Sequence, residues 1–142
     1  MPIEKVLILE DDRIQLDNLR DILRDKKYIV SGATTIARAD EYLASDNYDL
    51  ILVDLNLPDG NGLDFVRRLQ MKPNRPLSVV MTSTGSIDSA VDCIQAGAFH
   101  YLVKPLKPAQ LHTIISKAED LSRLLSVNRF LTSPDHGEER FA

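Results

Sequence analysis

Acidic side chains follow two of the most apolar segments of this chain. Asp54 comes directly after a run of four aliphatic residues, and Glu10 and Asp11 come directly after another such run. If the two runs form neighbouring parallel strands, the carboxylates meet at one edge of the sheet and repel one another. A divalent cation that prefers oxygen ligands relieves this repulsion. The sequence therefore predicts a metal-assisted phosphoryl site at that edge.

Five polar side chains have candidate roles in this chemistry. A carboxylate can attack a phosphoryl group, because the reaction depends on positioning and charge neutralisation more than on removal of a proton. Asp54 is therefore the candidate nucleophile, and Glu10 and Asp11 are candidate Mg²⁺ ligands, one of them through water. Lys104 follows another apolar run, where its ammonium group can neutralise a bound phosphate. Thr82 also ends an apolar run, and its hydroxyl can bond to a phosphate oxygen.

Each of these residues also has an ordinary structural interpretation. An aspartate such as Asp54 often starts a turn, and an acidic cluster such as residues 10–12 often opens a helix. Most lysines are solvated, and threonine is common in strands. The hypothesis of a phosphoryl site depends on all of these residues falling at the ends of predicted strands.

The elements that would position these residues follow from the alternation of short apolar runs with longer segments of helical periodicity. We expect strands at Lys5–Leu9, 28–31, Leu50–Asp54, Leu77–Thr82 and His100–Val103. We expect helices at about Arg13–Asp25, at about Ile36–Ser45, after Gly62, and at about 86–96, and a fifth helix with Pro108 in its first turn. Strands connected in this way form a parallel sheet covered on both faces, an α/β doubly wound fold, in which ligands bind beyond the carboxyl ends of the strands.

Residues that favour helix ends support these boundaries. Asp12 is the expected N-cap of the first helix, and Thr34 or Thr35 that of the second. Gly97 suits the position after the fourth helix, and Pro108 suits the first turn of the fifth.

The fourth predicted helix carries an apolar stripe and the only cysteine of the chain. The stripe consists of Ile87, Ala90, Val91 and Ile94. Because Cys93 is alone, it can form no internal disulfide, and we expect it to be a small packed core residue.

The composition narrows the classes of function. A chain of 142 residues is the size of one domain, and its formal net charge is −4 without a dense run of basic residues. These features argue against direct nucleic-acid binding by this domain. The sequence has no basic leader followed by a long apolar segment and no stretch that could span a membrane. We therefore expect a cytoplasmic protein without membrane contact.

Together these residues resemble the receiver domains of bacterial two-component response regulators, over residues 5–123. The resemblance rests on Glu10 and Asp11, on Asp54 within residues 52–62, and on residues 81–83 and 98–105. It is strongest with receivers of sigma-54-dependent activators. It implies a flavodoxin-like (βα)5 fold with a five-stranded parallel sheet of order 2-1-3-4-5. His100 departs from the pattern, since those relatives often have an acid there.

The resemblance also implies a set of functional residues. Asp54 would be the phosphoacceptor for a sensor histidine kinase, and Mg²⁺ would be bound by Asp11, Asp54 and the backbone carbonyl of Asn56, with Glu10 acting through water. Such a protein is a signalling switch that controls transcription, and its only catalysis is of its own phosphorylation and dephosphorylation.

A second group of residues would transmit the signal in such a family member. Thr82 and Lys104 would contact the phosphoryl oxygens, Tyr101 would turn inward, and the small Ser83 would leave the phosphate accessible. The face formed by the fourth helix, fifth strand and fifth helix would change, and a homodimer would form on phosphorylation.

Other functions compete with this interpretation. A phosphohydrolase of the haloacid-dehalogenase type needs an acid two residues after its nucleophile, but this chain has Asn56 there, and an amide has no proton to give. A nucleotide or flavin module needs a glycine-rich loop after the first strand, where this chain has acids. A calcium loop is disfavoured by the positions of Gly60 and Phe65. A degenerate receiver that only binds partners stays open.

The end of the chain is expected to differ from the rest. We predict a receiver domain over residues 1–127 and a polar tail or linker over residues 128–142, which would lead to an absent output domain. The apolar stripe of the fifth helix continues at Leu121, Leu124 and Leu125, and dimerisation could use it.

Overall fold

Strands and helices alternate along the protein, for which a computed structural model describes residues 3–131. The strands of the main sheet are β1 (Lys5–Leu9), β2 (Ile29–Ala33), β3 (Leu50–Asp54), β4 (Leu77–Thr82) and β5 (His100–Val103). The helices are α1 (Arg13–Asp25), α2 (Ile36–Ser45), α3 (Gly62–Leu69), α4 (Ile87–Gln95) and α5 (Pro108–Leu131). The strands are all parallel, in the order β2-β1-β3-β4-β5. The predicted flavodoxin-like fold is therefore confirmed.

Side chains of the central strands are buried on both faces of the sheet. Successive residues of a strand point to opposite faces, so a strand covered on both sides must be apolar at nearly every position. All five residues of β3 are buried. One apolar cluster lies between the sheet and α1 and α5, and a second lies between the sheet and α2, α3 and α4. This burial explains why the sequence shows continuous apolar runs instead of alternation.

The second strand is shifted towards its carboxyl end relative to the prediction of 28–31. Tyr28 follows the turn after α1, where its N–H donates to the carbonyl of Leu23 at 3.2 Å. Gly32 and Ala33 extend β2, because they pair with Ile8 and Leu9 of β1. Pairing with a neighbouring strand therefore outweighs the low strand propensity of glycine.

The predicted helix ends are confirmed at three places. The Asp12 carboxylate accepts the N–H of Ile14 at 2.9 Å and caps α1. The Thr35 hydroxyl accepts the N–H of Arg38 at 3.1 Å and caps α2. Gly97, after the end of α4, has a φ of +112°, a backbone conformation that residues other than glycine rarely adopt.

Helix α4 buries its cysteine and exposes its apolar stripe. Cys93 is buried in the second cluster, as predicted. Ile87 is 84% exposed, and Val91 and Ile94 are also exposed, next to the exposed Val103 of β5. We call these four residues the α4–β5 stripe. Ile87, Val91 and Ile94 follow one another at helical spacing and, like Val103, are exposed in the described part of the chain, and this makes the stripe a candidate contact surface.

Helix α5 packs on the sheet through residues of its first half. Its buried residues are Leu111, Ile114, Ile115 and Ala118, while Leu124 is exposed. The helix continues to Leu131, so the predicted domain boundary at residue 127 falls inside it. The predictions for the side chain of Leu125 and for residues 132–142 lie outside what the structure describes. Within residues 3–131, no helix combines the length and apolar character needed to cross a bilayer.

Candidate functional site

Three carboxylates meet beyond the carboxyl ends of β1 and β3. The two strands are neighbours, with Leu9 paired to Val53, so the residues that follow them lie side by side. Ligand atoms of Glu10, Asp11 and Asp54 all lie within 4.8 Å of one another. Glu10 is fully buried and Asp54 is 7% exposed, whereas Asp11 is exposed. The predicted acidic cluster is therefore present, with one side open to solvent.

Lys104 provides the counter-charge of this cluster. Its ammonium group hydrogen-bonds to Glu10 and lies 3.3 Å from Oδ2 of Asp54. Its backbone N–H donates to the carbonyl of Thr82 at 2.7 Å, and the peptide bond to Pro105 is cis. The end of β5 thus places the Lys104 ammonium group in contact with the carboxylates.

Burial and charge change the acidity of these groups. Burial raises the pKa of Glu10 to about 7, and the charge of Asp54 adds to the rise, while hydrogen bonds from Lys104 and from the N–H of Asp12 oppose it. Burial alone would lower the pKa of Lys104, but its hydrogen bond to Glu10 and the charges of Glu10 and Asp54 outweigh burial and raise it. The three carboxylates outnumber the Lys104 ammonium group, so the site gains from a further cation.

Asn56 lies in a short hairpin that follows Asp54. Residues Asn56–Leu57 pair in antiparallel fashion with Gly60–Asn61, and the N–H of Asn56 lies 3.4 Å from Oδ1 of Asp54. The Asn56 side chain is exposed. The hairpin therefore holds the Asn56 backbone close to the carboxylate cluster.

Thr82 and Tyr101 are joined to each other through the backbone of Thr84. The Thr82 hydroxyl donates to the Thr84 carbonyl at 3.0 Å and accepts the Thr84 N–H at 3.2 Å. The Tyr101 hydroxyl reaches the same carbonyl at 3.5 Å. Both side chains thus contact the loop between β4 and α4 instead of the carboxylates.

Ser83 is exposed beside the site. It lines a groove of about 570 Å³ together with Lys104, Pro105, Leu106 and residues of α1. Lys104 lines this groove, whereas the three carboxylates are not among its lining residues. Ser83 and Lys104 thus lie on the wall of the same groove.

Two contributions to the site could not be read from spacing alone. Asp59, at the turn of the hairpin, accepts hydrogen bonds from the N–H groups of Ile36 and Ala37 in α2. Gly62 approaches the backbone of Asp54 so closely that a Cβ there would overlap the carbonyl oxygen. The Asp-Gly pair at residues 59 and 60 is a turn signal that could have predicted the hairpin, but not its contact with α2.

The donor set at this edge fits a hard divalent cation. Glu10, Asp11 and Asp54 offer carboxylate oxygens only, and Mg²⁺ prefers one or two carboxylates together with waters and phosphate oxygens. The exposed side of Asp11 leaves room for such waters. Cations that favour sulfur or nitrogen ligands would find none in this cluster.

A family model described as "Response regulator receiver domain" matches residues 6–116 of the chain. The match includes the carboxylate cluster, the hairpin and Lys104. Receivers of this family typically bind Mg²⁺ at an acidic pocket, and the cluster described above is such a pocket.

Two curated relatives are regulatory proteins of pseudomonads. The alginate biosynthesis transcriptional regulatory protein AlgB of Pseudomonas syringae pv. tomato is 35% identical over 120 residues, which are 84% of this chain and 27% of the relative. The response regulator protein PilR of Pseudomonas aeruginosa is 35% identical over 116 residues, which are 81% of this chain and 26% of the relative. The chain thus spans about a quarter of the length of these relatives.

Solved structures show the same fold. A CheY-like response regulator receiver domain protein from Methanospirillum hungatei is 27% identical with a TM-score of 0.78, covering 85% of this chain and 97% of that one. The beryllofluoride-activated NtrC4 receiver domain dimer is 28% identical with a TM-score of 0.77, covering 82% of this chain and 96% of that one. The sheet order, the acidic pocket and these matches lead to one assignment. The chain belongs to the response regulator receiver domain family of two-component signal transduction.

Proposed function

We propose that Asp54 accepts a phosphoryl group from a sensor histidine kinase and that this modification switches the protein between two conformations. The observation that carries the proposal is the meeting of three carboxylates and the Lys104 ammonium group at one strand edge. The family supports the signalling role and the kinase as the class of donor.

Phosphoryl transfer would run from the kinase histidine to Asp54. A carboxylate oxygen of Asp54 attacks the phosphorus atom, the bond from phosphorus to the kinase histidine nitrogen breaks, and its electron pair stays on that imidazole. Mg²⁺ held by Glu10, Asp11, Asp54 and the Asn56 carbonyl would neutralise charge on the phosphoryl oxygens when bound. Lys104, which contacts both Glu10 and Asp54, would contribute a second positive charge.

The phosphoryl group would then redirect hydroxyl and ammonium groups around it. An aspartyl phosphate adds a charge of about −2 and strong acceptor oxygens. The Thr82 hydroxyl exchanges the Thr84 carbonyl for a phosphoryl oxygen, so the loop between β4 and α4 moves. Tyr101 loses its contact with Thr84 and turns inward. The face made by α4, β5 and α5 is thereby reshaped.

The proposal is tested by intact-mass measurement after incubation with Mg²⁺ and a small phosphodonor such as acetyl phosphate. We expect wild type to gain the mass of one phosphoryl group and the Asp54→Asn variant to gain none, because an amide lacks the nucleophilic carboxylate oxygen. The substitution is isosteric, and unfolding curves of both proteins control for folding. Equal mass gain in both proteins, or no gain in wild type, would contradict the proposal.

A haloacid-dehalogenase-type phosphohydrolase remains the alternative, since it would also use an aspartate after a buried strand. Asn56 stands where such an enzyme needs its acid, and its amide cannot protonate a leaving group. Sustained release of inorganic phosphate from phosphate esters would favour this alternative. A single stoichiometric modification favours the switch.

We further propose that phosphorylation promotes a homodimer through the α4–β5 stripe. The exposed Ile87, Val91, Ile94 and Val103 supply an apolar surface next to the loop that the phosphoryl group would move. A similar receiver, that of NtrC4, was solved as a dimer in its beryllofluoride-activated form.

Light scattering at high concentration checks the dimer. We expect phosphorylated wild type to increase in mass and the phosphorylated Ile94→Asp variant to stay monomeric, since a charge would be buried in the interface. Met71→Asp is the matched control, because Met71 is an 85% exposed apolar residue outside the stripe. A phosphorylated wild-type protein that stays monomeric would rule out the dimer.

The longer relatives suggest the context of the domain. AlgB is a transcriptional regulatory protein and PilR a response regulator protein, and this chain matches about a quarter of the length of each. We propose a cytoplasmic receiver over residues 1–127 with a linker over residues 128–142 to an output domain. DNA binding would then belong to the output domain, not to this acidic one.

A further inference from the structure

The first N–H groups of helix α2 donate to acceptors from two different parts of the chain. The side chain of its own N-cap, Thr35, accepts the N–H of Arg38. The N–H groups of Ile36 and Ala37 donate to Oδ1 and Oδ2 of Asp59 at 2.9 and 3.0 Å. Both carboxylate oxygens of Asp59 are therefore engaged by a helix that lies more than twenty residues earlier in the sequence.

Asp59 lies at the turn of the hairpin that contains Asn56. Leu57 pairs with Gly60, so residues 58 and 59 connect the two short strands. Gly60 also lies against α2, because a Cβ there would come within 2.7 Å of the Ile36 side chain. The turn of the hairpin is thus fixed on the amino-terminal end of α2.

The opposite end of the hairpin is fixed on β3. The N–H of Gly62 donates to the carbonyl of Leu55 at 2.8 Å. The backbone of Leu55 in turn donates to the carbonyl of Met81 in β4 at 3.1 Å. Asn56 therefore lies between two anchors, one on the sheet and one on α2, and only the second depends on a charged side chain.

We propose that Asp59 is a positioning residue for the Mg²⁺ site, which holds the Asn56 carbonyl in place by clamping the hairpin to α2. This inference rests on the proposed function, because it assumes that the Asn56 carbonyl is a metal ligand. Asp59 itself contacts α2 and takes no part in the carboxylate cluster.

Charge makes this clamp stronger than a neutral turn contact. A carboxylate at a helix amino terminus interacts favourably with the helix dipole, and hydrogen bonds to an ionised acceptor are stronger than those between neutral groups. The two backbone N–H groups hold the pKa of Asp59 below its usual range. The clamp therefore stays ionised at neutral pH. Residues that orient a metal ligand in this indirect way typically change metal affinity by ~10-fold or more when removed.

Calorimetric titration of Mg²⁺ into the unphosphorylated protein tests the inference directly. We expect Asp59→Ala to raise the Mg²⁺ dissociation constant ~10-fold and Asp59→Asn to raise it less, because an amide oxygen keeps one of the two hydrogen bonds. Thr35→Ala is the matched control. It removes a cap of the same helix without touching the hairpin, so the Mg²⁺ dissociation constant should not change.

Phosphorylation by acetyl phosphate at varied Mg²⁺ gives a second readout. For Asp59→Ala we expect the Mg²⁺ concentration at half-maximal rate to rise in step with the dissociation constant, while the rate at saturating Mg²⁺ stays near that of wild type. Equal Mg²⁺ affinity in wild type and both Asp59 variants would overturn the inference. If Thr35→Ala lowers the Mg²⁺ affinity as much as Asp59→Ala does, the inference is also overturned, because capping of α2 alone would then account for the effect. A wild-type protein that takes no phosphoryl group would instead refute the proposed function.

Discussion

We expect the Lys104→Met variant to lose about 2 kcal/mol of unfolding free energy at pH 8 in the absence of Mg²⁺, since a buried carboxyl group takes up a proton before it bears a larger cost. The substitution keeps a long, unbranched side chain but removes the charge. It leaves Glu10, which is fully buried, and Asp54, which is nearly so, facing each other without a cation. A buried carboxylate that loses its only counter-charge costs far more than a broken surface ion pair, because water cannot replace the partner.

The loss should depend on pH in a defined direction. Lys104 lowers the pKa of Glu10, which burial raises to about 7, so its removal should raise that pKa further. A carboxyl group with a raised pKa in the folded state destabilises that state only when it is ionised. The deficit of the variant should therefore be small at about pH 5, grow as the pH rises through the folded pKa, and be largest at about pH 8.

Urea unfolding at both pH values measures the effect. Lys107→Met is the control, since Lys107 is exposed and outside the site. Added Mg²⁺ should restore more stability to Lys104→Met than to wild type, because the cation then replaces the missing ammonium group. Phosphorylation of the variant should nonetheless be slower, since Lys104 would no longer neutralise the phosphoryl oxygens. Equal unfolding midpoints for the two lysine variants at the higher pH would contradict this account of the site.

The residues at strand ends were predictable from the sequence because their positions follow from the fold class. Once the strands are parallel and adjacent, Glu10 and Asp54 must approach each other, and Lys104 must reach the same edge. Continuous apolar runs made the strands easy to identify. The order of the strands came from the family resemblance, since several orders would have satisfied the same pattern.

Contacts between loops were not predictable in this way. Asp59 reaches α2 across 23 positions of sequence, and no periodicity signals such a pair. The Thr84 carbonyl accepts hydrogen bonds from both the Thr82 and Tyr101 hydroxyls. Because it is a backbone group, the residue type at this position does not indicate these contacts. The end of β2 at Ala33 depended on pairing with β1, which outweighs local propensity.

Gly62 illustrates a residue whose importance appears only in three dimensions. It is the first residue of α3, where helix propensity alone would favour alanine by up to about 1 kcal/mol. A Cβ at this position would overlap the backbone carbonyl of Asp54, and it would also press on the backbone of Leu55. A backbone at the end of a central strand cannot move aside as a side chain can, so the steric conflict should outweigh the gain in propensity.

We therefore expect Gly62→Ala to lower the unfolding free energy by about 2 kcal/mol, the usual cost of forcing an extra carbon into a packed site. Relief of the overlap would also lengthen the hydrogen bond from Gly62 to Leu55 and shift the hairpin, so Mg²⁺ should bind more weakly.

Gly85→Ala is the matched control for this prediction, measured by the same unfolding curves. A Cβ at Gly85 would lie 2.7 Å from a methyl group of Val103, an exposed side chain that can rotate away. Both substitutions thus add one carbon next to a close neighbour, but only the one at Gly62 meets immovable backbone. If Gly62→Ala unfolds at the same urea concentration as wild type, the hairpin is free to move. The Asn56 carbonyl would then not be held in place from the β3 side, and α2 would be its only anchor.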